Sequence, residues 1–443
     1  MNRAGGSRAR WTGKPARVGA SGGAPINYHE ALTWLYGLQR FGIKLGLENI
    51  ERLLNELCSS VCIKRPVPAA ASAFTPKVIH VAGTNGKGSV CAMIDSTCRA
   101  QGYRTGLFTS PHLVTFRERI RVNGEMISED AVANGLTTIR NLVASWDPHP
   151  TFFEVVTALG LRHFSDTKVE IVILETGLGG RLDATNAIRS NVSVITPIDL
   201  DHEKWLGKTI PEIAAEKAGI IKPGVPIVSA SQRAEAEEVI RAHAAKRGAS
   251  LEFVTQPYDE SPIALVGSNQ KQNAALAIGA LRAAKIDVDS SAIVEGLARV
   301  DWPARFQRWD EHTIIDGAHN PAAAHTLTET WREIFGDQRA TLVLSILADK
   351  NLCAICKALA PISDSVLLPK IRSERAADPE ELAQIFSSIT PSLPCSVTPS
   401  TARALELAYA KPNAILIAGS LHFAGEVLAH LRGEPAAFEE CAQ

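Results

Sequence analysis

The chain has 443 residues, a length that favours two domains over one, and its 46 basic residues nearly balance its 47 acidic ones. This balance argues against a nucleic-acid partner or an anionic membrane partner, and no apolar run is long enough to span a bilayer. The eight cysteines lack regular spacing, so we expect a reducing compartment without a disulfide framework. Cys353 and Cys356 form an isolated pair whose helical spacing favours small core residues over metal ligands.

Residues 1–27 differ from the rest of the chain in charge. They contain several arginines but no acidic residue, and they are rich in glycine and alanine. Such composition is found in mitochondrial and plastid targeting segments, but the apolar residues here are too few for an amphipathic pattern. We therefore predict a disordered leader on a cytoplasmic protein, with organelle targeting as the alternative.

Residues 28–299 alternate strand-like with helix-like patterns. The strand-like segments are continuous apolar runs, typical of parallel strands buried on both faces, at residues 77–81, 105–108, 170–174, 192–196 and 226–229. The sequence Asp-Trp-Pro at 301–303 interrupts the alternation, and further runs follow at residues 313–315, 341–344, 365–368 and 414–417. This pattern predicts an α/β protein with a doubly wound parallel sheet in residues 28–299 and a smaller Rossmann-like domain in residues 300–443.

The segment GTNGKGS follows the first predicted strand and opens a predicted helix. Its glycines allow backbone N–H groups to face an anion at the positive end of that helix. Lys87 can reach the outer phosphates of a nucleotide, and the Ser89 hydroxyl can bind Mg²⁺. The spacing departs from the usual loop, because Gly88 separates the lysine from the serine. We predict a nucleotide site formed by Gly83, Thr84, Asn85, Gly86, Lys87, Gly88 and Ser89.

This loop resembles that of the Mur-ligase superfamily, and the later motifs resemble those of the folylpolyglutamate synthase and dihydrofolate synthase family. In family order they are SPHL at 110–113, ERI at 118–120, ETGLGGRLDATN at 175–186, DHEKWLG at 201–207, EKAGI at 216–220, WPARFQ at 302–307 and DGAHNP at 316–321. The resemblance covers nearly the whole chain from residue 28. It implies a P-loop-type ATPase domain, a Rossmann-like C-terminal domain and ATP-dependent ligase activity.

Several residues follow predicted strands or end a predicted helix. Glu175 ends one strand, where a carboxylate suits Mg²⁺ but also suits a hydrogen-bonded loop. By spacing alone His202 would be a core or loop histidine, and Lys217, near the end of a helix that starts with a Thr209–Glu212 capping box, would only favour the helix dipole. The family resemblance implies instead that Ser89, Glu175, His202 and Lys217 bind two Mg²⁺ ions and that Lys217 is carbamylated.

The resemblance assigns further residues. It implies that Asn273, Arg305 and Asp316 contact ATP and that His319 lies near the glutamate site. Lys87, His202, Lys217 and His319 are the expected catalytic residues. The folate side is expected to comprise Ser110, Pro111, His112, Thr151, Phe152, Phe153, Glu154, Leu182, Asp183 and Ala184. Two departures from the family are Lys44, where some relatives carry an acid near the pterin, and Ala304, where glycine is usual.

The resemblance implies a monomeric enzyme that acts on ATP, L-glutamate and dihydropteroate or folate through an acyl phosphate. We expect both dihydrofolate synthase and folylpolyglutamate synthase activity, with folylpolyglutamate synthase activity alone as the alternative.

Three other functions agree less well with the sequence. A peptidoglycan Mur ligase would need a UDP-sugar domain before residue 77, a nucleotide switch would not need the ligase motifs, and an inactive homologue would not need the intact Lys87, Glu175, His202 and Lys217.

Overall fold

A computed structural model describes residues 25–42, 44, 46–57, 76–434 and 439 of the chain. Residues 1–24 of the predicted leader lie outside this set, as do residues 43 and 45 on either side of Lys44. Among the described residues, each helix is too short or too polar to cross a lipid bilayer.

The strands in chain order are β1 (Lys77–Ala82), β2 (Thr105–Phe108), β3 (Ile120–Val122), β4 (Glu125–Met126), β5 (Ile171–Glu175), β6 (Val192–Ile195), β7 (Ile227–Ala230), β8 (Leu251–Val254), β9 (Gln307–Arg308), β10 (Thr313–Ile315), β11 (Ala340–Leu344), β12 (Ser363–Pro369), β13 (Cys395–Thr398) and β14 (Ile415–Ala418). All the strands predicted from apolar runs are present, with bounds within two residues of the prediction.

The α-helices are α1 (Tyr28–Tyr36), α2 (Glu48–Leu57), α3 (Lys87–Ala100), α4 (Glu129–Val143), α5 (Phe152–Asp166), α6 (Glu203–Leu206), α7 (Ile210–Ala218), α8 (Ala234–Lys246), α9 (Ser268–Ala283), α10 (Ser290–Arg299), α11 (Pro321–Phe335), α12 (Leu352–Leu359), α13 (Pro379–Ile389), α14 (Thr401–Tyr409) and α15 (Leu421–Leu431). The predicted capping box begins α7: Thr209 accepts from the Glu212 N–H, and Glu212 accepts from the Thr209 N–H.

The larger sheet has the strand order β4-β3-β2-β5-β1-β6-β7-β8. Its strands are parallel from β2 to β8, while β3 and β4 form an antiparallel hairpin at one edge. The sheet is therefore rich in parallel strands, as predicted, with an edge hairpin that apolar runs did not indicate. Asn123 and Gly124 make the turn of this hairpin with φ values of 51° and 83°. An Asn-Gly pair is a sequence signal for such a turn.

Alternate residues of the central strands face opposite helical layers. Val172 and Leu174 of β5 pack with α1, α2, α4 and α5, whereas Ile171 and Ile173 pack with α3, α9 and α10. Because both faces are covered, every position in the strand favours an apolar side chain. This explains why the strand sequences are continuous rather than alternating apolar runs.

The smaller sheet has the order β13-β12-β11-β14-β10-β9, with β9 antiparallel to β10. Helices α11, α12 and α13 cover one face, and α14 and α15 cover the other. Leu113 and Val114, from the loop after β2, join this second layer. A β-carbon on Gly425 of α15 would overlap the Leu113 carbonyl oxygen, so this contact between the two parts of the chain requires glycine.

Loops at the carboxyl ends of both sheets line one cavity. They follow β1, β5 and β6 in the larger sheet and β10, β11, β12 and β14 in the smaller one. Ligands of open parallel sheets bind outside these strand ends. The topology therefore places a ligand site between the two sheets. The proposed domain division near residue 300, in the segment that joins α10 to β9, stays a prediction.

Candidate active site

The cavity between the sheets has a volume of about 470 Å³, within the range of small-molecule sites. It collects the residues predicted from the sequence to contact ATP, bind metal or act in catalysis. They are Gly83, Thr84, Asn85, Gly86, Lys87, Gly88, Ser89, Glu175, His202, Lys217, Asn273, Arg305, Asp316 and His319. Their meeting at one place supports the predicted site, while their individual roles stay predictions.

The glycine-rich loop passes close to other backbone and side-chain atoms. Gly83 has a φ of 149°, and a β-carbon there would overlap the Thr196 hydroxyl. Gly86 precedes α3 with a left-handed φ of 90°, and a β-carbon there would lie 2.7 Å from Oδ1 of Asn273. The loop can therefore turn toward the cavity only with glycine at these two positions. Its turn leaves the N-terminus of α3 facing the cavity, as an anion site requires.

Two lysines approach the same carbonyl oxygen of this loop. Nζ of Lys87 donates to the carbonyl oxygens of Gly83 and Thr84, at 3.2 Å each. Nζ of Lys217, in a 5 % exposed side chain, donates to the Gly83 carbonyl oxygen at 2.7 Å. Burial, reinforced by the charge of Lys87, lowers the pKa of Lys217 to about 7. A large fraction of Lys217 is therefore an uncharged, nucleophilic amine near neutral pH.

Ser89 and Glu175 provide hard oxygen atoms at the floor of the cavity. The buried Ser89 hydroxyl has no hydrogen-bond partner among the described residues. Oε2 of Glu175 accepts from the Ser110 N–H at 3.1 Å, and burial raises the pKa of this carboxyl while the charge of Lys87 partly opposes the rise. A hydroxyl and a carboxylate fit Mg²⁺. The described residues contain no cluster of three His, Cys, Asp or Glu side chains that could hold a metal.

His202 is held in an unusual backbone conformation, with a φ of 53°. Burial lowers the pKa of its imidazole to about 4, although the neighbouring Asp201 acts in the opposite direction. The ring is therefore neutral at physiological pH. A neutral imidazole has a free lone pair on one nitrogen and can serve as a metal ligand.

Asp201, which sequence reasoning did not single out, joins both parts of the site. Its Oδ1 accepts from Nζ of Lys350 at 2.6 Å, and its Oδ2 accepts from Nδ2 of Asn320 at 3.2 Å. Nε2 of His319 lies 3.6 Å from Oδ2. Burial alone would raise the pKa of Asp201, but the hydrogen bond and charge of His319 in its protonated form, with the charges of protonated His202 and of Lys350, hold it well below the usual range. Asp201 follows β6, whereas its partners Lys350, Asn320 and His319 belong to the C-terminal part of the chain.

Substitution of Asp201 by asparagine is expected to destabilise the protein by about 3 kcal/mol, because it leaves the buried Lys350 charge without its partner. The matched control is Asp199→Asn, which breaks a more exposed ion pair with Arg233 and should cost less than about 1 kcal/mol. Urea unfolding of the two variants measures the difference. In the double variant Asp201→Asn/Lys350→Met much of the loss should be recovered, and a purely additive loss would contradict the pairing.

The same carboxylate predicts a pH dependence of stability. The pKa of Asp201 is lower in the folded than in the unfolded protein. Its stabilising contribution to the free energy of unfolding is therefore fully present above its pKa in the unfolded chain, about 4. This contribution is lost as the pH falls further. The free energy of unfolding of the native chain should therefore decrease more steeply below pH about 4 than that of the Asp201→Asn/Lys350→Met variant.

The C-terminal side of the cavity carries Arg305, Asp316 and His319. Asp316 accepts from the Phe306 N–H at 2.7 Å and from the Ala318 N–H at 2.8 Å, which fixes the start of this loop. Nη1 of Arg305 donates to the Ala304 carbonyl oxygen at 2.8 Å. Nδ1 of His319 lies 2.8 Å from the Gly317 carbonyl oxygen, which can only accept. The neutral His319 ring is therefore protonated on Nδ1 and has its lone pair on Nε2, the atom near Asp201.

The residues predicted for the folate side do not all reach the cavity. Ser110 and Pro111 line it, and the others do not. Thr151 and Glu154 form the capping box that begins α5. Phe152 is buried and stacks on Tyr36, while Phe153 packs edge-on against Phe108.

The loop that follows Glu175 also uses predicted folate residues internally. Asp183 accepts from the N–H groups of Gly177 and Leu178, both at 2.9 Å, and Ala184 is buried while Leu182 is partly exposed. Asp183 therefore has a clear structural role in shaping this loop. Any contact of these residues with folate stays a prediction.

His112 is buried away from the cavity. Its Nδ1 accepts from Nε of Arg119 at 2.9 Å, so its Nε2 carries the proton and donates to the Glu439 carbonyl oxygen at 3.0 Å. In this structure His112 therefore anchors the loop after β2 to the C-terminal segment.

Lys350 is the other functional candidate that the sequence argument left unassigned. It lies in the segment Asp-Lys-Asn at 349–351, whereas Asp201 opens the DHEKWLG motif. The sequence feature that could have identified Asp201 and Lys350 was a charged side chain inside each of these segments. Their contact joins residues 149 positions apart, which no local pattern indicates.

The glycine-rich loop, the two parallel-rich sheets and the cavity between them define a Mur-type ligase. In agreement, the model of the family "Mur ligase, glutamate ligase domain" matches residues 304–421. The dihydrofolate synthase/folylpolyglutamate synthase of Bacillus subtilis is 34% identical over 443 residues, covering 91% of this chain and 99% of that protein. The chain therefore belongs to the folylpolyglutamate synthase/dihydrofolate synthase family.

Solved structures agree with this assignment. Escherichia coli FolC in complex with DHPP and ADP has a TM-score of 0.79 and 31% identity, with coverage of 91% of this chain and 98% of that one. The Yersinia pestis bifunctional folylpolyglutamate synthase/dihydrofolate synthase, complexed with AMPPNP and Mn ion, has a TM-score of 0.79 and 28% identity. The match covers 92% of this chain and 98% of that one.

Proposed function

We propose that this chain uses ATP to add L-glutamate both to dihydropteroate and to tetrahydrofolate polyglutamates. The observation that carries the proposal is that Lys87, Glu175, Lys217 and His319 meet in one cavity between two sheets. The bifunctional name of the Bacillus subtilis relative supports both activities. Folylpolyglutamate synthase activity alone is the alternative.

In the first step, a carboxylate oxygen of the pterin substrate attacks the γ-phosphorus of ATP. The bond from this phosphorus to the bridging oxygen breaks, ADP leaves, and an acyl phosphate forms. Lys87 and the N–H groups at the start of α3 are placed to stabilise the negative charge on the transferred phosphoryl group. Arg305 is placed to contact phosphate oxygens from the opposite side of the cavity.

In the second step, the α-amino group of L-glutamate attacks the acyl carbon. A C–N bond forms, the bond from carbon to the phosphate oxygen breaks, and the amine loses a proton. Nε2 of His319 is our candidate acceptor of this proton, since the lone pair of the neutral ring lies there and the atom is 3.6 Å from Oδ2 of Asp201. Enclosure between the two sheets limits hydrolysis of the acyl phosphate by water.

The residues present also fit a divalent metal. Ser89 and Glu175 would hold one Mg²⁺ ion, and His202 and Lys217 would hold a second. Bound Mg²⁺ would reduce the charge repulsion between the attacking carboxylate and the phosphates. The Mn ion in the Yersinia pestis structure supports a divalent ion in this family.

We further propose that Lys217 is carbamylated, because its lowered pKa leaves an amine able to react with CO₂. A protein held at pH about 6 in CO₂-free buffer should lose activity, as protonation reverses carbamate formation, and should regain it with bicarbonate. The variant Lys217→Met should be inactive with or without bicarbonate. The exposed Lys208→Met is the control, and equal bicarbonate rescue of Lys217→Met would overturn the carbamate.

The direct test of the function is the product. We expect mass spectrometry to show dihydropteroate gaining one glutamyl unit, and tetrahydrofolate gaining one or more, when ATP, Mg²⁺ and L-glutamate are present. Extension of tetrahydrofolate alone would leave folylpolyglutamate synthase activity as the function. The monomeric state and the cytoplasmic location stay predictions.

A further inference from the structure

Residues 300–306, which connect α10 to β9, are held firmly at both ends. On one side, α10 lies close against α3: a β-carbon on Gly296 would lie 2.5 Å from Cα of Thr97, and Oγ of Ser96 donates to the Gly296 carbonyl oxygen at 2.7 Å. On the other side, the Gly317 N–H donates to the Ala304 carbonyl oxygen at 2.9 Å. This connection is therefore a fixed link between the nucleotide helix α3 and the loop after β10.

Trp302, within this connection, lies against the nucleotide loop. A β-carbon on Gly88 would be 2.7 Å from Nε1 and 3.2 Å from Cε2 of the indole. The φ of Gly88, unlike that of Gly83 or Gly86, lies outside the left-handed region. Backbone conformation therefore does not require glycine at this position. The close approach of Trp302 gives a physical reason for the extra glycine between Lys87 and Ser89.

The indole also reaches the folate side of the site. The guanidinium carbon of Arg121, in β3, lies 5.5 Å from the ring centroid, within the range of a cation–π contact. A small cavity of about 30 Å³ separates Trp302 from Ser110, Glu175 and Arg305. Trp302 thus borders the nucleotide loop, the hairpin after the SPHL segment and, three residues along the chain, Arg305.

We propose that Trp302 is a positioning residue that fixes Arg305 relative to the nucleotide loop through its contact with Gly88. This inference rests on the proposed function, because Arg305 is assigned there to the phosphates. The contact makes the spacing between the loop and Arg305 depend on the indole. The effects of substitutions at Gly88 and Trp302 on nucleotide binding should consequently be non-additive, since the two residues form the two sides of one contact.

The test is a double-mutant cycle on the full chain, with calorimetric ADP affinity and the KM for ATP as readouts. Gly88→Ala should weaken ADP binding and raise the KM for ATP about tenfold or more, because its methyl group meets the indole. Trp302→Phe replaces the indole by a smaller ring without Nε1 and Cζ2, two of the atoms nearest to a β-carbon on Gly88, and should cost only a few-fold. The combination Gly88→Ala/Trp302→Phe should bind ADP more tightly than Gly88→Ala alone, with the KM for L-glutamate unchanged.

A second readout is fluorescence. ADP should change the tryptophan emission of the native chain, and this change should be lost in Trp302→Phe but kept in the control Trp146→Phe. Additive effects in the cycle, or an ADP signal that persists in Trp302→Phe, would overturn the role of Trp302. Failure of the native chain to bind ADP would instead overturn the proposed function, so the two failures are distinguishable.

Discussion

Replacement of Lys87 by methionine is expected to lower kcat for phosphate release by about 10² to 10³-fold, the cost of losing one charged donor to a developing oxyanion. The physical reason is position: Lys87 is the first residue of α3, and its Nζ already lies among the carbonyl oxygens of the loop that is predicted to hold the phosphates. Steady-state kinetics with saturating ATP separates this loss of kcat from a change in KM.

The control for this variant is Lys246→Met, at an exposed position at the end of α8, which should keep native activity. Thermal unfolding should be similar for both variants, since Lys87 is partly exposed to the cavity and holds no buried ion pair among the described residues. A Lys87→Met enzyme with near-native kcat would contradict the placement of the phosphates at this loop.

Replacement of Glu175 by glutamine is expected to lower kcat by a similar factor of about 10² to 10³ while leaving stability unchanged or improved. The amide keeps the size of the side chain but removes the charge that Mg²⁺ requires. Burial raises the pKa of Glu175, so the folded state favours the neutral form. The Glu175 carboxyl therefore lowers the free energy of unfolding as the pH rises above its pKa in the unfolded chain, about 4. A neutral glutamine side chain does not have this effect.

Two measurements check the Glu175 variant. A Mg²⁺ titration of ATP turnover should show a higher half-saturating concentration for Glu175→Gln, and calorimetric unfolding at pH 7 should show an equal or higher Tm. The Glu212→Gln variant is the control, because this exposed carboxylate caps the start of α7 and does not line the cavity. Native activity in Glu175→Gln, or a large fall in its Tm, would contradict a metal-binding role.

Much of the fold could be predicted because the central strands are buried on both faces. Continuous apolar runs marked β1, β5 and β14, and the Thr209–Glu212 capping box marked the start of α7. The strands at the sheet edges, β3, β4, β8, β9 and β13, were not predicted, because they are two to four residues long and most of their side chains are not buried. The signal for β3 and β4 was the Asn-Gly turn, which apolar periodicity does not reveal.

The predicted nucleotide loop could be located from local sequence, since its glycines, Lys87 and Ser89 lie in one short segment that lines the cavity. The contacts of Asp201 with Lys350 and of Gly88 with Trp302 were not, because each joins segments that only the fold brings together. Phe152 shows the limit of reading an aromatic residue from sequence, since its side chain packs in the hydrophobic core beside α5, while its predicted pterin contact stays a prediction. Buried aromatic residues more often serve packing than recognition.

The most direct test of the account is phosphate release from ATP with Mg²⁺ and L-glutamate, with dihydropteroate and tetrahydrofolate offered in separate reactions. We predict release with each acceptor, strictly dependent on L-glutamate and absent in Lys87→Met. Release that persists without L-glutamate would indicate a nucleotide hydrolase, and no release with either acceptor would contradict the assignment of this site to folate.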